Sequence, residues 1–471
     1  MEDRGLLPDF GPEALEELAT LAGPALETGD GVEDLRGLLW CSVDNDDSKD
    51  LDQLSVGEEQ GGGVTRIRVA IADVDGLAPR GSAIDRHARQ NTASIYVAGQ
   101  VYPMVPEQLS TDLTSLNAKV DRMSLVISFD VDQDGGLSGE GIVRAVVHNH
   151  AQLAYNGLAA WLEGREPIPA PAAAVSGMDP QLRMQDQVAR RLRHRRHQEG
   201  ALDLESLEAR PIFRDDMVVG LKAETPNRAK WMIEEFMIAA NGVVARFLEH
   251  HRRPSLRRVV RSPERWAKLV SLAEKHGETL PGDPDAKALE AFLVKRKVAD
   301  PLRFPDLSLS VVKLMGAGEY VAENAGDAHL GHFGLSVKDY AHATAPNRRY
   351  PDLVTQRLIK SALAGEPSPY SLEELSRIAR HCSLQENSIA KVQRQVHKSA
   401  AVLLLEHRIG ERFEGLVTGA AEKGTWVRLF DPPVEGRLVD GARGLRVGDK
   451  VRVRLEHTNF ERGYLDFSRI A

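Results

Sequence analysis

Apolar and polar positions along the chain fall into three regimes. Up to about residue 130 the pattern is that of strands. Leu38-Leu39-Trp40-Cys41-Ser42-Val43 is a short apolar run that enters an acidic stretch from Asp44 to Asp52. Gly61-Gly62-Gly63 marks a turn, and Val64 to Ile71 then alternates with period two, as a strand does. Further strands are predicted around Ser94–Val97 and Ser124–Phe129. From Ala151 onward the spacing turns helical, broken by the loop Pro167-Ile168-Pro169-Ala170-Pro171. Helices are predicted over Trp231–Phe247, up to a stop at Asp300-Pro301, over Tyr350–Leu363 and over Ser371–Glu406, since proline cannot continue the hydrogen-bond ladder. After about residue 409 strands return. Phe413–Thr418, Gly424–Leu429, Gly436–Val439, Lys450–Leu455 and Gly463–Phe467 make five short strands with glycine turns, the pattern of a small barrel.

The expected architecture is therefore an α+β body, a mixed sheet with packed helices, followed by a small all-β barrel of the OB type. Residues 1–35 form a short lead with one helix at Pro12–Ala19, residues 36–408 the main domain and residues 409–471 the barrel. No internal repeat is present.

Composition narrows the class. The chain has 471 residues, 42% hydrophobic and 27% charged, which suits a soluble globular protein and not a disordered one. No apolar run approaches the roughly 18–20 residues that span a bilayer, and the first residues carry no secretory pattern. Cys41 and Cys382 can form neither a disulfide framework nor a zinc site, so a reducing, cytoplasmic setting is expected. The net charge of −9 does not favour nucleic acid, but phosphates are bound by local clusters. Two such clusters stand out, Arg190–His197 and His251–Arg261, although each reads equally well as a solvated face.

Candidate chemistry sits in the acids. Asp44, Asp50 and Asp52 follow an apolar strand and would repel one another unless a cation sits among them. Hard oxygens at close quarters suit Mg2+, which takes one or two carboxylates and keeps waters for substrate phosphates. An acidic surface loop or a calcium-type loop would look similar. His148 and His150 are better explained by strand alternation than by a metal.

Order along the chain is more specific than any one motif. Leu39–Asp44, Asp50-Leu51-Asp52 and Val69–Val74 resemble the opening of the ribonuclease II catalytic domain. Ser94–Val97, Pro103–Pro106, Gly200–Leu204 and Ile233–Asn241 follow in that family's order, and then His332–Leu335, Tyr340–Thr344 and Arg348-Arg349-Tyr350-Pro351-Asp352. The resemblance covers about residues 36–408. The last segment resembles the ribosomal S-one-type OB fold, an RNA-binding module.

The resemblance implies a processive, hydrolytic 3′→5′ exoribonuclease that takes single-stranded RNA to nucleoside 5′-monophosphates with Mg2+, acting as a monomer and using no organic cofactor. It implies Asp44, Asp50, Asp52 and Arg348 as catalytic residues, with Asp44, Asp50 and Asp52 also at the metal. It implies Tyr96, Tyr155 and one of Glu234 or Glu235 at the terminal nucleotides, and Phe413 and Trp426 as barrel aromatics for RNA, one of them being barrel core instead. Arg349, not Arg348, is the better partner for a structural pair with Asp352. Three departures stand out. Gln53 replaces a fourth acid, though its amide oxygen can still ligate Mg2+. Gln393 stands on the last helix where relatives often carry an acid. The lead is too short for the family's paired cold-shock barrels. The rival reading is a catalytically dead RNA-binding relative.

Overall fold

The computed structural model describes residues 1–470, apart from 28, 30, 98, 206–207, 215–216, 225 and 422–423; of 208–214, 217–224 and 421 only the backbone is described. Among the described residues, nine strands precede the first long helix. They are β1 (Val32–Asp34), β2 (Cys41–Asp44), β3 (Gln53–Gly61), β4 (Val64–Ala72), β5 (Ile95–Val97), β6 (Gln100–Tyr102), β7 (Asp121–Val131), β8 (Leu137–His148) and β9 (Ala151–Ala154). Seven of them form one mixed sheet in the order β1-β8-β7-β4-β3-β2-β9, while β5 and β6 form a two-stranded sheet of their own. The two outermost pairings, β1 with β8 and β2 with β9, are parallel, and the inner ones are antiparallel.

Gly61, Gly62 and Gly63 all have positive φ, so the β3–β4 turn needs glycine there. From that turn β4 runs inward. Its outer half alternates between half-buried and buried residues, while Val69–Ala72 is buried on both faces. The acidic stretch, the end of β2, the start of β3 and the end of β4 thus lie at one end of the strands, and the glycine turn at the other.

Helices Met178–Gln198 and Arg228–His250 pack on the sheet, the first against β3 and the second chiefly against β7, β8 and β4. Trp40, Phe129, Phe236 and Tyr350 anchor the main core. A second core, around Trp266, Leu269, Phe292, Leu293 and Phe304, holds the three helices Trp266–Lys275, Ala286–Ala299 and Phe304–Met315 together. Helix Leu372–Leu405 runs for 34 residues; its Ser371 N-cap and Glu374 satisfy each other's backbone N–H groups.

The five strands between Arg412 and Ile470 close into a barrel, two of whose pairings are Arg412–Ala421 with Gly424–Leu429 and with Lys450–Asn459. Val451, Val453 and Leu455 point inward while Arg452 and Arg454 face water, the alternation that closes a small barrel around its own side chains. Leu405 and Val402 of the long helix join the barrel core, and Arg428 makes a two-pronged pair with Asp306, at 2.6 and 3.1 Å.

Three expectations change. The sheet begins at Val32, inside the stretch read as a lead. Ala151–Ala154 is a strand before it is a helix, because it pairs with β2. The basic stretch His251–Arg261 divides: His251 and Arg252 are exposed in a turn, and the rest is built into the fold. Its Ser255–Val259 pairs with Glu319–Glu323, and Arg257 is buried near Glu249, Glu323 and Asp339. Arg258 binds Glu386, and Arg261 binds Glu319.

Candidate active site

β2 ends on Asp44, whose Oδ1 accepts from the Asn45 N–H at 2.7 Å and the Ser48 hydroxyl at 2.9 Å. One oxygen of this acid therefore shapes its own turn. Asp50 is half-buried and its Oδ2 accepts from the Tyr96 hydroxyl at 3.0 Å. Asp52 is fully buried, at 0% exposure. Its Oδ1 accepts from the Asn347 N–H at 3.1 Å. Its Oδ2 lies 3.2 Å from Arg348 Nε yet accepts no aligned hydrogen bond, so one buried carboxylate oxygen is left with a charge beside it and a lone pair unused.

Burial pushes the Asp52 carboxyl up to about 7. Arg348 and the Asn347 N–H pull it down, and Asp50 and Asp352 push it further up. Burial also works against the charge on Arg348, but Asp52, Asp44 and Asp50 outweigh it and raise its pKa. The Arg348 side chain is 43% exposed, so a guanidinium anchored on Asp52 still opens to solvent, where a phosphate could meet it. Arg349 does the structural work expected of it: Nε and Nη2 clasp Asp352 at 2.9 and 2.7 Å.

Tyr96 sits on the β5–β6 hairpin with 39% of its surface exposed. Burial of its hydroxyl and the nearby Asp50 raise its pKa. Tyr155 opens helix Tyr155–Leu162 directly after β9, whose Ala154 pairs with Asp44, and Lys230 lies over its ring at 5.9 Å. The two glutamates part ways. Glu235 is buried and takes Arg196 at 3.0 and 2.6 Å, whereas the Glu234 side chain is 48% exposed. Arg196 and Arg193 of the basic stretch Arg190–His197 thus face Glu235 and Asp203, while Arg190, Arg191, His194 and Arg195 line an outer cleft with Gln133 and Asp134.

Gln53 is buried and opens β3. Strand alternation puts it on the side of Ser55, whose hydroxyl donates to Gln185 at 2.6 Å, and away from Leu54. Asp52 and Gln53 can share one ion only at the mouth of the strand, between the two faces. Among the described residues no group of three or more His, Cys, Asp or Glu converges as a ready metal cage. The donor set still fits a magnesium that keeps most of its waters: hard oxygens at one end of the strands, with Asp52 Oδ2 unused.

In the barrel, Phe413 is 6% exposed and meets Phe467 edge-on at 6.5 Å between ring centres. It belongs to the barrel core and has no free face for a base, which removes it from the RNA-binding set. Trp426 lies on the outer, half-buried side of its strand, and a side chain at Gly419 would crowd its ring at 3.2 Å.

Sequence reasoning missed Asn347. This residue is fully buried, and its side chain meets the Thr114 hydroxyl at 2.7 Å across 233 positions of sequence. The Thr114 hydroxyl also donates to the Leu109 carbonyl at 2.9 Å. One hydroxyl proton cannot serve two acceptors, so the amide of Asn347 is better turned to donate to Thr114. A polar residue after Pro346, between small residues and an arginine pair, was the only sequence signal.

A mixed sheet with acids and an arginine at one end of its strands, joined through one long helix to an OB barrel, defines the class of RNB-type proteins. The chain belongs to that family: residues 32–365 match the RNB domain, and residues 411–470 match the RNase II-type exonuclease C-terminal S1 domain. It is 32% identical over 504 residues to ribonuclease R of Escherichia coli K12, covering 99% of this chain and 61% of that protein. It is 30% identical to ribonuclease R of Aquifex aeolicus, covering 93% and 64%. The chain thus spans about three fifths of the length of these relatives. In structure it is similar to Mycoplasma genitalium RNase R in complex with ribose-methylated single-stranded RNA, with a TM-score of 0.88 at 22% identity over 99% of this chain and 76% of that one. Yeast Ssd1, a pseudonuclease, shares the fold at a TM-score of 0.70 and 16% identity, covering 93% and 55%.

Proposed function

We propose that this chain is a magnesium-dependent, processive 3′→5′ exoribonuclease that hydrolyses single-stranded RNA to nucleoside 5′-monophosphates, working as a monomer in the cytoplasm. One observation carries the reading: a buried Asp52 with an unused oxygen, held against an Arg348 that still opens to solvent. Asp52, with one buried oxygen unused beside Arg348, would help to place the attacking water against the scissile phosphate. Arg348 offers charge to the phosphate as negative charge builds on it and on the departing 3′ oxygen. Asp44, Asp50 and Asp52, with the Gln53 amide, would hold Mg2+, which supplies Lewis-acid polarisation of the scissile phosphate. Tyr96 would stack on the terminal base, Tyr155 and Glu234 would contact the last nucleotides, and a hydroxyl acceptor there would select RNA over DNA. Trp426 would offer the barrel's stacking face.

The test is a digest of 5′-labelled single-stranded RNA and of DNA of the same sequence, with and without Mg2+. RNA should shorten from the 3′ end without intermediates, only with metal, and DNA should persist. Gln53, Gln393 and the shared fold with a pseudonuclease favour a second reading, an RNA-binding relative that does not cut. Intact RNA that nevertheless binds would decide for it.

A further inference from the structure

Two strands of three residues each do not hold themselves together in water, and among the described residues β5 and β6 form a sheet apart from the main one. The Tyr96 hydroxyl is held in front by Asp50, and the backbone of the hairpin is held from behind. Behind it is a core of its own, separate from the other three: Leu6, Ile95 and Ile389 are buried there, with Met1, Val97 and Val392 packed against them. Leu6 is 0% exposed, although it lies at the edge of the chain's first helical turn.

The backbone of this segment is bound as firmly as its side chain. The Asn91 side chain accepts from the Leu7 N–H at 2.8 Å and donates to the Leu7 carbonyl at 2.8 Å, as a neighbouring strand would. The Gly5 carbonyl accepts from Gln90 at 2.8 Å and from Gln385 of the long helix at 3.1 Å. From Asn91 the chain passes straight into the site. Thr92–Ser94 runs antiparallel beside Arg348–Tyr350: the Ser94 N–H donates to the Arg348 carbonyl at 3.0 Å, and the Tyr350 N–H donates to the Thr92 carbonyl at 2.8 Å.

We propose that Met1–Leu7 is a positioning segment of the site: with Leu6 wedged behind Ile95 and Leu7 clasped by Asn91, it fixes the hairpin that presents Tyr96 and the backbone that carries Arg348. The proposal rests on the reading that Tyr96 and Arg348 handle RNA. The segment touches no substrate. It acts through the hairpin.

The experiment uses the full chain with Leu6→Ala, Leu6→Met and the milder Gln385→Ala. Amide hydrogen exchange is followed by mass spectrometry over 92–97 and over 64–72, without RNA, beside digestion of 5′-labelled RNA. In Leu6→Ala, exchange over 92–97 should quicken about tenfold or more, with 64–72 unchanged. Turnover should fall about tenfold at nearly constant KM for long RNA, and the final products should become mixed in length. Leu6→Met, which refills the volume, should restore both, and Gln385→Ala should give the same pattern at smaller size. Unchanged exchange over 92–97 in Leu6→Ala and Gln385→Ala overturns the proposal. So does a loosened hairpin with parental turnover and products, if Tyr96→Ala alters them. Should Tyr96→Ala leave products and turnover as they were, it is the reading of Tyr96 that fails, and the exchange over 92–97 alone judges the segment.

Discussion

Asp52 and Gln53 are neighbours in sequence, yet their environments set them different tests. Asp52→Asn keeps the volume and the Asn347 contact and removes the charge. Turnover should drop by about 10²–10³ while RNA affinity measured by filter binding stays within about twofold. Retained turnover would remove Asp52 from the chemistry. Burial also gives Asp52 a pH signature. Its carboxyl titrates near 4 in the unfolded chain and at about 7 in the folded one, so between those values the folded state binds the extra proton. That contribution to stability is present at low pH and is lost as pH rises from about 4 to 7. The metal-free protein should therefore lose melting temperature between pH 5 and 8 by more than Asp52→Asn does. Equal pH slopes in the two proteins would show that Asp52 is ionised throughout. For Gln53, replacing a neutral donor by a carboxylate should shift the magnesium titration of activity to lower concentration in Gln53→Asp. An unchanged midpoint places Gln53 on the helix side of its strand and outside the metal shell.

Elements decide which member of a pair is available. The helix Arg228–His250 turns Glu235 into the body, onto Arg196, and leaves the Glu234 side chain 48% exposed, 3.6 Å from the same guanidinium. Removing one partner of a buried pair strands the other's charge, so Glu235→Ala should cost about 3–5 kcal/mol in urea unfolding. Glu234→Ala should leave the unfolding midpoint in place and raise KM for RNA. The opposite assignment of effects would mean that the exposed glutamate carries the fold. A helical spacing puts residues i and i+1 about 100° apart, which tells that one glutamate must turn in, but not which. The same limit applied to the two basic stretches. Arg196 and Arg257 were lost to buried acids on other elements, contributed by residues 39 and 66 positions away.

At the scale of the whole molecule, the barrel hangs on the body through the end of the long helix and the Arg428–Asp306 pair. Its two sequence-marked aromatics answer to different forces. Trp426→Ala should weaken single-stranded RNA binding by about 1–3 kcal/mol with the barrel's melting unchanged, whereas Phe413→Ala should lower the barrel's stability by about 3–5 kcal/mol. RNA affinity indifferent to Trp426→Ala would leave the barrel gripping RNA by other means. Phe430, Phe460 and Tyr464 are the exposed aromatics to examine next, at 40, 49 and 53%.

Periodicity determined much of this chain unaided. Helix Tyr350–Leu363 and strand Gly424–Leu429 lie where the spacing put them, and the glycine run turns where only glycine turns freely. These features are local, set by residues within one or two turns of each other. The resemblance to the ribonuclease II family, carried by motifs in order, marked Tyr96 and Arg348 as candidates beside the acids and made Arg349 the better partner for Asp352. Tertiary structure alone decided what depends on distant partners. It set the burial that lifts Asp52 and matched Thr114 to Asn347. It tied Leu6 to Ile95 and sent Ala151–Ala154 into the sheet beside β2. None of these has a periodicity to betray it, because each is a contact between segments whose separation in sequence is free to vary while their approach in space is not.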